Sequence, residues 1–184
     1  MENNGLVEIF KIPKSWEIRL ILLIALLLAG ALLFWVFGAK SAPAWQGITP
    51  AKTSKAELIQ VLGEPAKSQE KGRFTIYGYK SAEKFRFHEV WLEEDKVVLI
   101  REQVASGEKL KLADLEKKYG KPTTLYSELF AQSQELLTFA RRGYAVLANK
   151  NNEAVYEVWY FEPTSPQGLV SLLRGELDLT LQKR

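Results

Sequence analysis

Two serines each stand three residues ahead of a lysine, Ser68-x-x-Lys71 and Ser81-x-x-Lys84. This is the spacing of the serine–lysine acyl-enzyme pattern, in which the amine activates the hydroxyl. In a chain this rich in serine and lysine, about one such match arises by chance, and the companion motifs of that chemistry are absent. The chain has one histidine, His88, and no cysteine. One imidazole cannot complete a common metal set, and Ser-His-Asp or Cys-His catalysis would have to rest on His88 alone. Carboxylate neighbours such as Glu93-Glu94 fall in a turn, where water keeps their chemistry ordinary. The glycines are scattered as caps and turns and do not form a phosphate-cradling loop. The residue types therefore point to a chain without catalytic activity, metal or cofactor, and no small-molecule substrate is expected. The rival reading from the enzyme class is an envelope hydrolase that uses carboxylates as acid and base.

Aromatic residues are the other candidates for function, because they anchor protein interfaces when exposed. Alternation along residues 154–161 puts Trp159 and Phe161 on one face of a strand, and Tyr156 and Tyr160 on the other. One set must be core. The other, joined by Tyr77 and Tyr79 on an earlier strand, is the candidate partner-binding patch: Tyr77, Tyr79, Tyr156 and Tyr160. The alternative is that helices or neighbouring strands cover both sets.

The elements that would carry these residues are set by local signals. Ser54 and Glu57 form a capping box, and Leu58, Ile59, Val61 and Leu62 supply an apolar face. Gly63 and Pro65 then end a short helix over 54–62. A second helical pattern over 112–119 stops at Gly120-Lys121-Pro122, fifty-seven residues later. The same interval carries Glu57 onto Asp114, Leu58 onto Leu115, Phe87 onto Tyr144, and the turn Glu94-Asp95-Lys96 onto Asn151-Asn152-Glu153. Such coincidence predicts an internal duplication. Strands are expected over 73–79, 85–92 and 97–100, then over 136–141, 144–148 and 154–161. Ser165-Pro166 opens a last helix running to 173, and the tail 175–184 adds a strand or lies loose. The expected fold class is α+β: an N-terminal transmembrane helix, then a duplicated helix-plus-antiparallel-sheet domain. Its helices pack on one face of a shared sheet, and the opposite face is partly open. The first repeat takes 48–106 and the second 107–184.

Of 184 residues, 47% are hydrophobic, and much of that content sits in one early run. Residues 20–38 read LILLIALLLAGALLFWVFG without a charge, long enough as a helix to span about 28 Å of a bilayer. Trp16 and Trp35 suit the headgroup level, and Arg19 and Lys40 mark the two edges. Lys11, Lys14 and Arg19 precede the run, which places segment 1–19 in the cytoplasm and the C-terminal domain outside, beyond a linker over 39–47. The expected localisation is the cytoplasmic membrane, crossed once. The alternative is a secreted inhibitor or binding protein released by signal cleavage near Ala44. A net charge of +3, with no clustered basic face, excludes a nucleic-acid partner on electrostatic grounds.

Gly47-Ile48-Thr49, Lys52-Thr53-Ser54-x-x-Glu57-Leu58 and Leu62-Gly63-Glu64-Pro65 together resemble the opening of the BamE-like (SmpA/OmlA) small-lipoprotein domain. A tandem version resembles the β-lactamase inhibitory protein fold. The resemblance implies a non-catalytic module that binds protein partners in the cell envelope. The chain departs from that family in having no cysteine to lipidate.

Overall fold

The computed structural model describes residues 22–23, 43–105 and 110–181. The chain divides into two units, Met1–Lys40 and Ser41–Arg184. The strands of the second unit are β1 Lys67–Lys71, β2 Phe74–Lys80, β3 Phe87–Glu93, β4 Lys96–Gln103, β5 Thr123–Leu125, β6 Gln134–Phe139, β7 Tyr144–Asn149 and β8 Val155–Phe161. Three short helices accompany them, α1 Lys55–Leu62, α2 Leu112–Tyr119 and α3 Pro166–Leu172. All eight strands join one antiparallel sheet in the order β1-β2-β3-β4-β8-β7-β6-β5. Two four-stranded meanders thus meet where β4 pairs with β8, from Leu99↔Phe161 to Gln103↔Glu157.

Local chemistry explains the element ends. Ser54 and Glu57 close a reciprocal capping box on α1, with Glu57 accepting from the Ser54 backbone N–H at 2.7 Å. α1 and α2 each end on a glycine whose N–H returns to the carbonyl four residues back, Gly63 to Ile59 and Gly120 to Glu116. Trp45 and Ile48 exchange both backbone hydrogen bonds around Gln46 and Gly47, which have φ of 48° and 84°. Positive φ at both central residues is the signature of a type I′ hairpin turn. Gly143 is the position with least freedom to change. Its φ is +68°, and an added Cβ would overlap the Phe161 carbonyl oxygen while sitting 3.2 Å from the rings of Pro163 and Pro43. Gly143→Ala is therefore expected to cost about 2–4 kcal/mol, read as a lowered urea midpoint at unchanged slope.

Side-chain alternation sorts the sheet into two covered faces. One face carries Phe74, Ile76, Trp91, Leu99, Leu136, Trp159 and Phe161, and α3 with the segment after it lies over them through Leu169, Leu173, Leu177 and Leu179. The opposite face has two clusters. Trp45, Ile48 and Leu58 cover Tyr77, Tyr79, Val90 and Ile100, while Leu115 of α2 joins Leu137, Tyr144, Val146 and Val158. As far as Thr180 the tail is tied down and adds no further strand. Lys71 Nζ donates to the Glu176 carbonyl at 2.8 Å and Arg73 to that of Leu172 at 2.7 Å. Ser127 Oγ donates to the Leu177 carbonyl, and Tyr126 and Thr180 exchange backbone hydrogen bonds.

Two expectations need correction. The fold is a strand-rich single sheet with three short helices, not a duplicated helix-plus-sheet domain following a transmembrane helix. The reason lies in the packing: one core draws on both meanders and is closed by α3 and the segment after it, which have no counterpart after β4 among the described residues. The single-pass membrane anchor, its signal-anchor role and its inside-to-outside orientation are also withdrawn. Among the described residues no helix is long and apolar enough to cross a membrane. The longest of the three, at eight residues, reach about 12 Å, against a hydrocarbon thickness of about 30 Å. The expected span over 20–38 lies outside the described residues except for Leu22 and Leu23, which are helical. Trp16, Arg19, Trp35 and Lys40 lie outside them as well.

Candidate functional site

The first serine–lysine pair is separated by the strand that holds it. Ser68 and Lys71 are three apart on β1, and an odd interval on a strand sends side chains to opposite faces. Lys71 is further occupied by the Glu176 carbonyl and lies 5.5 Å from the centre of the Trp91 ring. Ser81 is spent on its own loop, donating to the Arg86 carbonyl at 2.7 Å. Glu93 pairs with Arg73 at 3.2 Å. His88 Nδ1 accepts the backbone N–H of Gln103 at 3.0 Å, and its ring stands 5.2 Å from that of Trp45. Among the described residues no group of three or more His, Cys, Asp or Glu side chains is arranged to hold a metal ion.

The four tyrosines are not gathered into one exposed patch. Tyr77 and Tyr79 are 7% and 8% exposed beneath α1 and the Trp45–Ile48 turn, and Tyr79 donates to the Gly63 carbonyl at 3.3 Å. Tyr160 lies between the clusters under α1 and α2, donates to the Glu102 carboxylate at 2.6 Å and meets Tyr144 edge-on at 5.6 Å. Tyr156 is half-buried and accepts from Asn149 Nδ2 at 3.1 Å. The helices reach over the strands that sequence alternation alone leaves open.

Burial has a consequence for these hydroxyls. Desolvation holds the Tyr160 hydroxyl well above the ordinary tyrosine range, reinforced by its hydrogen bond to Glu102. Desolvation does the same for Tyr144, and it pushes Tyr79 up to about 12. A raised folded-state value means that the unfolded chain releases these protons first. The stability they contribute is therefore complete below about pH 10, the unfolded value, and is lost progressively above it. The urea midpoint is expected to fall as pH climbs from 10 to 12. Tyr160→Phe should make that fall shallower, whatever it does to stability at neutral pH.

A cluster that no familiar motif announces sits on the face closed by α3. The tripeptide Glu-Val-Trp occurs twice, at 89–91 on β3 and at 157–159 on β8. In each copy the indole N–H donates to the glutamate two residues before it, Trp91 to Glu89 at 3.2 Å and Trp159 to Glu157 at 2.8 Å. Between the two strands runs β4, and its Arg101 reaches both carboxylates. Its Nη1 donates to Glu89 at 2.9 Å, while Nε and Nη2 grip Glu157 at 3.0 and 2.9 Å. Arg86 approaches Glu157 from the β2–β3 loop at 3.6 Å. The Glu157 side chain is 4% exposed and that of Arg101 16%. Charges so far from water persist only when paired and hydrogen-bonded, and here the guanidinium fork occupies Glu157. The arrangement ties three strands across the junction of the two meanders.

Two openings stand out among the described residues. The larger, about 600 Å³, lies between the loop after β5 and the segment after α3; Phe130, Val170 and Leu179 supply apolar lining, and Glu128, Arg174 and Asp178 supply charge. Leu129, beside it in sequence, is 65% exposed. The smaller, about 320 Å³, lies at the C-terminal end of α1 and is lined by Trp45, Leu62, Glu64, Tyr79, Lys80 and His88.

No protein-family model and no curated protein matches the sequence. Two solved structures are similar in shape. One is a DUF4309 family protein (YjgB) from Bacillus subtilis subsp. subtilis str. 168, with a TM-score of 0.46 and 15% identity over 67% of this chain and 88% of that one. The other is an extracellular protein containing a SCP domain from Bacillus anthracis str. Ames, with a TM-score of 0.43 and 16% identity over 69% of this chain and 47% of that one. Likeness at this level carries no functional argument.

Proposed function

We propose that this chain is a non-catalytic protein-binding module that seats a segment of a partner polypeptide in the cleft between the loop after β5 and the segment after α3. The observation that carries the reading is the cleft itself, about 600 Å³, where Phe130, Val170 and Leu179 share the lining with polar and charged groups such as Gln134, Arg174 and Asp178. Concave sites of this size are where proteins hold side chains or ligands, and a mixed lining suits a polypeptide, which brings both apolar side chains and backbone polar groups. Leu129 favours a polypeptide. It offers a large apolar contact outside the cleft, of use to an occupant that continues beyond the opening. Anchoring by a few such residues is how most interfaces obtain their affinity. The resemblance of residues 47–65 to the BamE-like opening supports the same class of function. The cleft is preferred to the sheet tyrosines because Tyr77, Tyr79 and Tyr160 pack into the clusters under α1 and α2.

The test is site-directed photocrosslinking in intact cells, with probes at Arg174 beside the cleft and at Tyr77 beneath α1. One protein should be captured reproducibly from Arg174 and none from Tyr77. Changing Leu129→Asp should lower the Arg174 yield by about fivefold, the loss of an average interface anchor. If Arg174 captures nothing, or the yield ignores the change at Leu129, the cleft is not the binding surface.

A further inference from the structure

The walls of the larger cleft have much of their backbone already committed. Tyr126, next after β5, and Thr180 exchange both backbone hydrogen bonds, at 2.9 and 2.8 Å, in an antiparallel bridge. The chain's own tail therefore fills that ladder position. Farther along the loop, the Phe130 N–H donates to the Ser127 carbonyl and the Gln134 N–H to that of Ala131. The Ala131 N–H donates to Gln134 Oε1. All five of these donors belong to residues that line the cleft. A partner joins a sheet as an added strand only along an edge whose N–H and C=O groups are open. An extended segment seated here would bring one donor and one acceptor per residue and meet a wall whose own groups are spent. Burying its groups unpaired costs free energy at each position. An α-helix satisfies its own backbone except at its two ends, where polar side chains of the lining can serve it.

Apolar groups stand on both sides of the opening. Phe130, Val170 and Leu179 belong to the lining. Leu129, on the loop after β5, is 65% exposed, and Leu181, on the segment after α3, is 38% exposed. Each side thus offers one large side chain left to water. A helix with apolar residues three and four apart presents a stripe with polar flanks, the pattern by which helices anchor in grooves. Charge sets what those flanks carry. Arg174 and Asp178 are exposed on the same side of the cleft and opposite in sign, so their complement is an acid and a base on the partner. Charges at an interface rim fix register and direction more than affinity.

We infer, given that this cleft is the module's binding site, that its occupant is an amphipathic helix of the partner polypeptide. Its apolar stripe lies between Leu129 and Leu181 on Phe130, Val170 and Leu179, and an acid and a base on its flank face Arg174 and Asp178.

The experiment crosslinks the full chain in intact cells from photoreactive residues placed singly at Gln132, Arg174 and Asp178, which line the cleft and are exposed. Mass spectrometry maps the attachment points on the partner. They are expected within one stretch of about ten residues, about 15 Å as a helix, at intervals of three and four. That stretch, made as a peptide, should bind the purified full chain. A proline at its centre should weaken binding at least tenfold, because proline breaks a helix interior; alanine there, on the polar face, should change it less than about twofold. Arg174→Glu should weaken the peptide about threefold, the size of an exposed ion pair, and exchanging the peptide's acid for lysine should restore it. Capture from none of the three positions would overturn the helix and the binding module together. Attachment at two-residue intervals, or a proline peptide that binds undiminished, would overturn the helix alone and leave the cleft as the binding site.

Discussion

Arg101→Ala is expected to lower the unfolding free energy by about 3–5 kcal/mol, the range for removing one partner from a buried ion pair. Three facts set that size. Glu157 is 3% exposed, both of its oxygens take hydrogen bonds from Arg101, and the remaining cation near it, Arg86, stands 3.6 Å away with a side chain 42% exposed. Removing the guanidinium would leave a carboxylate in the sheet's interior with the Trp159 indole and a distant arginine as compensation. Equilibrium urea unfolding followed by tryptophan fluorescence measures the change. A second variant separates lost attraction from stranded charge. With Arg101→Met and Glu157→Met made together, no buried ion remains there, and at least half of the loss should return. Glu89 tolerates this, because its side chain is 26% exposed and can turn to water. A single Arg101→Ala change costing less than about 1 kcal/mol would place this pair with ordinary surface ion pairs and remove its role in joining the two meanders.

Ending the chain after Thr164 is expected to abolish cooperative folding. The deleted segment contributes Leu169, Leu173, Leu177 and Leu179, each no more than 5% exposed, to the core that also holds Trp91, Trp159 and Phe161. At about 1.5–3 kcal/mol for each fully buried side chain, the four leucines amount to about 6–12 kcal/mol. That is comparable to the whole net stability of a typical domain, about 5–15 kcal/mol. The shortened chain should keep strand signal in far-UV circular dichroism, lose its near-UV signal and bind a hydrophobic dye. Leu173→Ala in the full chain serves as the graded version, expected to cost about 2–5 kcal/mol. A shortened chain that still unfolds in one sharp transition near the original midpoint would show the segment to be an accessory cover.

Much of the local structure was legible in the residues. The capping box at Ser54 and Glu57, the stops at Gly63 and Gly120, and the Ser165-Pro166 start all rest on interactions within a few positions, so a sequence states them outright. Six strands carry enough apolar and β-branched alternation to be recognised. β1 and β5 do not. Lys67–Lys71 reads Lys-Ser-Gln-Glu-Lys and Thr123–Leu125 reads Thr-Thr-Leu, because both are edge strands, where polar or short sequence discourages pairing with other chains.

The candidate sites were less legible. The repeated Glu-Val-Trp was visible as text, yet its meaning depends on β4 lying between β3 and β8 with Arg101 in register, which is long-range pairing. The tyrosines illustrate the same limit. Alternation assigns Tyr77, Tyr79 and Tyr160 to one face, but whether that face meets water depends on where α1 and α2 come to rest. The sequence by itself determined the caps, the central strands and the lack of a cysteine or a second histidine, because each is local or compositional. Only the tertiary structure decided that one sheet serves both halves, that the tail closes its core, and that Arg101 reaches Glu89 and Glu157 on the strands either side of it. Those outcomes depend on contacts between residues far apart in the chain, where burial and pairing, and not propensity, set the free energy.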